Sequence, residues 1–239
     1  MIYLYLSIAF VVGYLIGNIN FARIFSWTFA KKDITKVGSK NPGTMNMLRT
    51  RGFGEAFLTL IFEAIKSGAP ALGGYFLFEH FFAGYGNWAF LLIAFGAIVG
   101  HCFPVFYKFK GGKGVACTFG LFVFHPNLWW MSLIAFVCCF ILFMFIQYGF
   151  IVSITFILSM TIVATCIFVL NSFPCWIALV VILWINFALI VFMHRSNIKR
   201  LINGTENKVN LREKIFKKKK AHESMAMASE DETELGEKE

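Results

Sequence analysis

The feature that most constrains this chain is the stretch from Val115 to His194, which contains no Asp, Glu, Lys or Arg. A transmembrane helix needs roughly 20 apolar residues, so the stretch has room for three crossings. Backbone polar groups inside hydrocarbon must be paired within the protein, which restricts the crossings to helices or a closed barrel. The sequence lacks the alternating segments of about ten residues that mark barrel strands. The stretch therefore predicts helical spans.

Composition extends this prediction to most of the chain. Hydrophobic residues make up 58% of the sequence and charged residues 15%, whereas a soluble domain averages about 45–50% apolar and about 25% charged residues. An ordinary soluble domain and a mostly disordered chain are both excluded. We therefore predict an all-α integral membrane protein.

The apolar runs predict seven transmembrane helices. The first run has no basic segment before it, which indicates a retained span rather than a cleaved signal peptide. The fourth is short, and we expect a half-buried or tilted helix there. The seven spans are about Ile2–Phe29, Phe53–Phe82, Trp88–Phe106, Val115–Phe124, Leu128–Phe145, Phe150–Leu170 and Cys175–Met193.

Basic residues predict the orientation of these spans. Nearly all of them lie in the loops after spans one and three and in the tail after span seven. Lys and Arg in short loops favour the cytoplasmic side, and seven spans with the N-terminus outside place all three segments there. We expect residues 1–210 to form a multi-pass domain of the cell membrane. Residues 211–239 form a cytoplasmic tail, basic and then acidic, that we expect to be disordered.

The first candidate functional segment runs from Gly38 to Asn46 and is followed by Arg49. Glycines let the backbone bend and expose successive N–H groups. The side chains of Ser39, Asn41 and Asn46 add neutral donors, and Arg49 adds a fixed positive fork, a set that suits phosphate. A turn-rich loop without a ligand is the alternative, because turns use the same residues.

The second segment opens the fourth predicted helix with Lys110, Gly111, Gly112, Lys113 and Gly114. Backbone N–H groups at a helix N-terminus can bind an anion, and Lys113 would add a point charge. The segment does not match the GxxxxGK[ST] spacing of a Walker A motif, so nucleotide hydrolysis is not supported. The alternative is that these lysines only follow the positive-inside rule.

The third segment begins at His194, after the last span. On a helix continuing from that span, His194 and Asn197 share one face and could act together at the membrane surface. The alternative is that His194 is only a helix cap. Within span two, Glu63 and Lys66 are spaced as an i,i+3 pair, which we expect to be a structural salt bridge that supports the first loop.

In order and spacing, the three segments resemble the acyl-phosphate-dependent glycerol-3-phosphate acyltransferases of bacterial membranes, the PlsY family. The likeness covers about Tyr14–Lys208. It is carried by Gly38-Ser39, Asn41, Gly43, Asn46 and Leu48-Arg49, by Gly100-His101-Cys102-Phe103-Pro104-Val105-Phe106 with Phe109-Lys110-Gly111-Gly112-Lys113-Gly114, and by His194-Arg195-Ser196-Asn197-Ile198-Lys199-Arg200 with Gly204 and Glu206.

This resemblance implies a reaction in which an acyl group moves from acyl phosphate to the 1-hydroxyl of sn-glycerol 3-phosphate. It implies a seven-span fold with an outside N-terminus and an active site at the cytoplasmic face. Ser39, His194 and Asn197 are the implied catalytic residues. The implied substrate-binding residues are Asn41, Asn46, Arg49, Lys110, Gly111, Gly112, Lys113 and Gly114.

Other functions remain open at this point. Many spans and a basic anion site also fit a membrane transporter of a phosphorylated metabolite, although the polar residues gather at one surface. A non-catalytic scaffold of lipid synthesis is a weaker alternative. We expect membrane lipid as a partner and no metal, cofactor or nucleic acid, and the sequence leaves the oligomeric state undefined.

Overall fold

The described chain is entirely helical. The computed structural model describes residues 1–172 and 175–209, and no strand occurs in these ranges. Six of the seven predicted spans each correspond to one helix and the first corresponds to two, while the predicted tail lies outside the described residues. The helices are α1 (Ile2–Gly17), α2 (Phe21–Ala30), α3 (Thr44–Thr50), α4 (Phe53–Phe81), α5 (Gly86–Cys102), α6 (Val115–Val123), α7 (Trp129–Phe145), α8 (Gly149–Leu170), α9 (Trp176–Met193) and α10 (Arg195–Ile202).

Five segments of the described chain are long and apolar enough to cross a membrane. They are Ile2–Ala30, Phe53–Phe81, Gly86–Tyr107, Gly149–Leu170 and Trp176–Met193. The apolar helix α7 has 17 residues and α6 has nine.

Short α6 is enclosed by other helices rather than exposed along one side. All seven of its residues from 116 to 122 are buried, as expected for a helix that is apolar around its whole circumference. It packs mainly against α4, where a Cβ on Gly120 would meet the carbonyl oxygen of Ala64. The protein thus holds α6, and Gly114 immediately before it, inside the helical bundle.

The tightest crossing joins α1 to α5 through glycines spaced four residues apart on both helices. A Cβ on Gly13 or Gly17 would meet a backbone carbonyl oxygen of α5. A Cβ on Gly96 or Gly100 would meet one of α1. Small residues at this spacing let two membrane helices approach backbone to backbone. The crossing therefore fixes α5, and the loop after it, against the N-terminal helix.

The first predicted span is two helices rather than one. Residues 18–20 interrupt it, and the Asn20 Oδ1 atom accepts a hydrogen bond of 2.9 Å from the Arg23 N–H, which caps α2. Asn18 and Asn20 are both buried. Asn20 also donates through Nδ2 to the Pro42 carbonyl at 3.1 Å, so the interruption holds the polar loop that follows α2.

Replacing Gly96 with Ala should destabilise the protein by about 1–3 kcal/mol, because the added methyl group overpacks a backbone contact. The midpoint of thermal unfolding in detergent measures the effect. Gly73→Ala is the matched control, since a Cβ on this α4 glycine meets nothing within 4 Å. Equal midpoints for the two variants would contradict the close crossing.

Candidate functional site

Asn46 holds the first polar segment in its folded shape. Its Oδ1 atom accepts from the Ser39 N–H at 2.9 Å, and its Nδ2 atom donates to the carbonyls of Ile34 and Val37 at 3.1 and 3.0 Å. The side chain is 1% exposed. Its amide group is therefore committed to the loop, whereas the sequence analysis grouped it with the ligand donors.

The second segment needs its glycines for close packing. The Gly112 N–H donates to the His101 carbonyl at 3.0 Å, and a Cβ on Gly112 would collide with the His101 ring. Gly114 precedes α6 with a φ of +80°, a backbone conformation that favours glycine. The Gly112 N–H is therefore already paired with a backbone carbonyl of α5.

The third segment does not continue α9. That helix ends at Met193 and α10 begins at Arg195, so His194 lies at a break and the prediction of one continuous helix is wrong. His194 and Asn197 nevertheless lie on the same buried side, with 3% and 7% exposure, while Arg195 is exposed. The break leaves the predicted pairing of these two residues intact.

A hydrogen-bonded chain joins the second and third segments. The Lys113 Nζ atom donates to Asn197 Oδ1, and Asn197 Nδ2 donates to Glu206 Oε1 at 2.7 Å. Glu206 Oε2 accepts from Arg200 Nε, also at 2.7 Å. Neither Arg200 nor Glu206 is among the predicted site residues. Arg200 had a signal, because it follows Asn197 by three positions on the same helix. Glu206 lies beyond that helix, and its signal was its place among the residues that carry the family resemblance.

All three segments line one cavity of about 140 Å³, which we call the polar cavity. Eight of the eleven predicted site residues border it, namely Ser39, Asn41, Asn46, Arg49, Lys113, Gly114, His194 and Asn197. Residues that the sequence analysis did not name as site residues complete its lining, among them Glu63, His101, Phe150, Arg200 and Glu206.

A second, open cavity of about 470 Å³ adjoins the polar cavity, and we call it the basic vestibule. The two share Ser39, Asn41, Lys113 and Arg200. Among the described residues, no acidic side chain lines the vestibule. Its cations are Arg23, Lys40, Lys110, Lys113, Arg195 and Arg200, and the predicted site residue Gly111 also borders it.

An apolar cavity of about 110 Å³ meets the polar cavity on another side. The two share four lining residues, which are Met45, Val115, Gly149 and Ser153. Beyond these, the apolar cavity is bordered by Cys139, Val152 and five phenylalanines, Phe119, Phe136, Phe140, Phe143 and Phe156. A polar compartment with cations therefore lies directly against one lined by hydrocarbon and aromatic rings.

Burial tunes the charges of the polar cavity. Burial, with a smaller contribution from the nearby Arg200 charge, lowers the pKa of Lys113 to about 8. Burial and the Lys113 charge lower the pKa of His194 to about 4, so this imidazole is neutral at pH 7. Its Nδ1 atom lies 2.8 Å from the Ile190 carbonyl. A carbonyl can only accept, so Nδ1 carries the hydrogen and Nε2 keeps its lone pair.

Fold and site together define an α-helical membrane protein with a cation-lined polar cavity beside an apolar one. A family model described as glycerol-3-phosphate acyltransferase matches residues 7–204. The chain therefore belongs to the glycerol-3-phosphate acyltransferase family, the family of PlsY.

Curated relatives agree with this assignment. The chain is 34% identical to a glycerol-3-phosphate acyltransferase of Mycoplasma pneumoniae, over 83% of this chain and 92% of the relative. Identity to the enzyme of the same name from Endomicrobium trichonymphae is 37%, over 87% of this chain and 96% of the relative.

The fold is similar to crystal structures of PlsY (YgiH), an integral membrane glycerol 3-phosphate acyltransferase. The superposition with its glycerol 3-phosphate form has a TM-score of 0.72 at 27% identity, covering 89% of this chain and 99% of PlsY. The lysophosphatidic acid form gives a TM-score of 0.70. The predicted family and the all-helical membrane fold are thereby confirmed.

Replacing Asn46 with Ala removes three hydrogen bonds, each worth about 1 kcal/mol. We expect faster hydrogen–deuterium exchange of the backbone amides between residues 33 and 46. Asn41→Ala is the comparison, because Asn41 borders the same cavity without those three bonds, and it should leave exchange in this loop near the wild-type rate. Unchanged exchange in the Asn46 variant would show that its amide does not organise the loop.

Proposed function

We propose that this protein transfers a fatty acyl group from acyl phosphate to the 1-hydroxyl of sn-glycerol 3-phosphate. The bond between the acyl carbon and the phosphate oxygen breaks, and an ester bond to the glycerol oxygen forms. The products are 1-acylglycerol 3-phosphate, or lysophosphatidate, and inorganic phosphate. The reaction is the first step of phospholipid synthesis.

The observation that carries this proposal is the junction of the polar and apolar cavities at Met45, Val115, Gly149 and Ser153. An acyl phosphate has a hydrocarbon tail and an anionic head joined at the reacting carbonyl. With its tail among the phenylalanines and its phosphate near Lys113, that carbonyl lies at the junction. Two findings support glycerol 3-phosphate as the acceptor. The chain belongs to the glycerol-3-phosphate acyltransferase family, and one of the similar PlsY crystal structures is its glycerol 3-phosphate form.

The cations of the site divide the binding of two phosphates between them. Arg49 can hold phosphate oxygens with two parallel hydrogen bonds, and Ser39 can donate to the same group. Lys113 adds a point charge where the acyl oxygen becomes negative in the transition state. Arg23 and Lys110 extend the positive lining into the vestibule, through which water-soluble glycerol 3-phosphate enters.

His194 and Asn197 position the attacking hydroxyl. The neutral His194 offers its Nε2 lone pair as an acceptor for the hydroxyl hydrogen, and the Glu206 carboxylate orients the Asn197 amide. Phosphate is a good leaving group, so positioning and charge stabilisation carry the catalysis. The hydroxyl proton ends on the released phosphate, either directly or through His194.

The distribution of Lys and Arg supports the membrane topology of this proposal. With α6 and α7 counted as spans, the chain crosses seven times, its N-terminus lies outside and its C-terminus is cytoplasmic. The vestibule then opens to the cytoplasm, where the water-soluble substrate is found. The membrane supplies the acyl donor and receives the lipid product.

Purified protein supplied with palmitoyl phosphate and glycerol 3-phosphate should form lysophosphatidate and release phosphate in equal amounts. Lys113→Ala should lower the rate by about 100-fold or more, as expected when a charged transition-state donor is lost. Lys108→Ala, an exposed lysine of the same loop, should leave the rate near wild type.

Two further arms of this experiment separate the alternatives. Replacing palmitoyl phosphate with palmitoyl-CoA tests the identity of the donor, which we propose is acyl phosphate. Proteoliposomes that take up labelled glycerol 3-phosphate and form no acylated product would identify a transporter instead.

The pH dependence of kcat/KM for glycerol 3-phosphate should report the Lys113 ammonium of the free enzyme. Its pKa is about 8, so Lys113 is charged below pH 8 and loses its proton above it. Because the neutral amine no longer attracts the substrate, we expect kcat/KM to fall by about tenfold per pH unit above pH 8. Ionisation of the substrate does not contribute to this decline, since its phosphate has a second pKa of about 6 and is already a dianion at pH 8. Lys113→Arg keeps its charge and should shift the decline to higher pH. A decline at the same pH in both proteins would assign it to another group.

A further inference from the structure

Three buried ionisable side chains lie together at the inner side of the candidate site, and two of them, Glu63 and His101, also border the polar cavity. Glu63, Lys66 and His101 are 0%, 6% and 4% exposed. The Lys66 Nζ atom lies 2.5 Å from Glu63 Oε2 and 3.1 Å from His101 Nδ1, and His101 Nδ1 lies 3.0 Å from the same carboxylate oxygen. We call these three residues the buried triad. The salt bridge expected between Glu63 and Lys66 is thus present, with a histidine added from α5.

The triad pairs backbone groups that the interruption between α1 and α2 leaves without helical partners. Lys66 donates through Nζ to the Gly17 carbonyl at 3.1 Å and to the Ile19 carbonyl. Glu63 Oε1 accepts from the Phe21 N–H at 2.8 Å. The expected support of the first polar loop by this pair is indirect. The direct contacts are with the helix interruption, whose Asn20 in turn holds Pro42 of the loop.

On its other side the triad lies against the loop that carries Lys113. The His101 carbonyl accepts from the Gly112 N–H, and the His101 ring occupies the space that a Gly112 side chain would need. Gly112 is buried and immediately precedes Lys113. The position of the His101 ring therefore limits how closely the loop can approach α5 at Gly112.

The triad also resembles a metal-ligand group, because Glu63, His101 and Cys117 place ligand atoms within 4.8 Å of one another. The Lys66 ammonium, however, lies within hydrogen-bond distance of both Glu63 and His101. A cation already occupies the place that a metal ion would take. The group is therefore a hydrogen-bonded ion network, and its role is to hold neighbouring segments of the chain in place.

We propose that the buried triad positions Lys113 for phosphate binding, with His101 transmitting the constraint through Gly112. This role deepens the proposed acyltransferase function and rests on it. Glu63 and Lys66 fix His101 to the interruption between α1 and α2, which also supports the loop of Ser39. His101 is a positioning residue, since its effect on the anion passes through Lys113.

A double-mutant cycle on the full-length protein in detergent tests this coupling, with inorganic phosphate as the probe and its Kd as the readout. His101→Ala should weaken phosphate binding by about tenfold. Combined with Lys113→Ala, it should add nothing to the loss caused by Lys113→Ala alone, because His101 acts only through that lysine. Effects at interacting positions are non-additive in this way, whereas independent effects multiply.

His125→Ala is the matched control for removing a buried histidine. His125 is 0% exposed, and its Nδ1 atom accepts from the Asn127 N–H, in the turn between α6 and α7. This variant should leave phosphate affinity unchanged whatever happens to its melting temperature. If His101→Ala does not fold, His101→Phe, which keeps a ring beneath Gly112 and removes the nitrogen that contacts Glu63, enters the same cycle with the same expected non-additivity.

Three outcomes would each overturn the positioning role. The losses of affinity could multiply in the double mutant, the His101 variant could bind phosphate with wild-type affinity, or the wild-type protein could fail to bind phosphate. Failure of the proposed reaction is a separate result. It appears as wild-type protein that binds phosphate with the expected coupling and forms no lysophosphatidate.

Discussion

The folded membrane domain depends on how the chain pairs backbone groups where a helix stops inside a low-dielectric surrounding. Hydrocarbon offers no partner to a free carbonyl or N–H, so an interrupted span needs partners from elsewhere in the protein. Here Lys66 and Glu63, two charged side chains of α4, supply them at the gap between α1 and α2. The same gap presents Asn20 to the first polar loop. A local requirement of the backbone thus becomes the attachment point of the functional site.

Much of the architecture could be predicted from the sequence because membrane helices obey strong one-dimensional constraints. The uncharged stretch from Val115 to His194 and the hydrophobic runs predicted α4 to α9 to within a few residues, whereas the short helix α3 was not predicted. The break at His194 was missed, because hydropathy and helical spacing both continue through Met193 into α10. The division of the first span at residues 18–20 was visible only as polar residues in an apolar run.

The sequence predicted which residues form the candidate site better than it predicted what each of them does. Asn46 and Gly112 were predicted to bind ligand from residue type, but their hydrogen bonds are used within the protein. Neither structural role can be deduced from residue spacing, since each depends on a contact with another segment of the chain that is brought close only by folding. His101 and Glu206 illustrate the same limit, because their partners Glu63 and Asn197 lie 38 and nine positions away.

The shared wall of the polar and apolar cavities has a consequence for how a lipid product leaves. With the tail among Phe119, Phe136 and Phe156 and the new ester bond at the junction, on the proposed function, the product is an amphiphile already aligned like the phospholipids around it. Its departure is a sideways slide into the leaflet that supplied the donor, with no exposure of the chain to water. On the proposed function and topology, synthesis on this scaffold therefore adds lipid to one leaflet only.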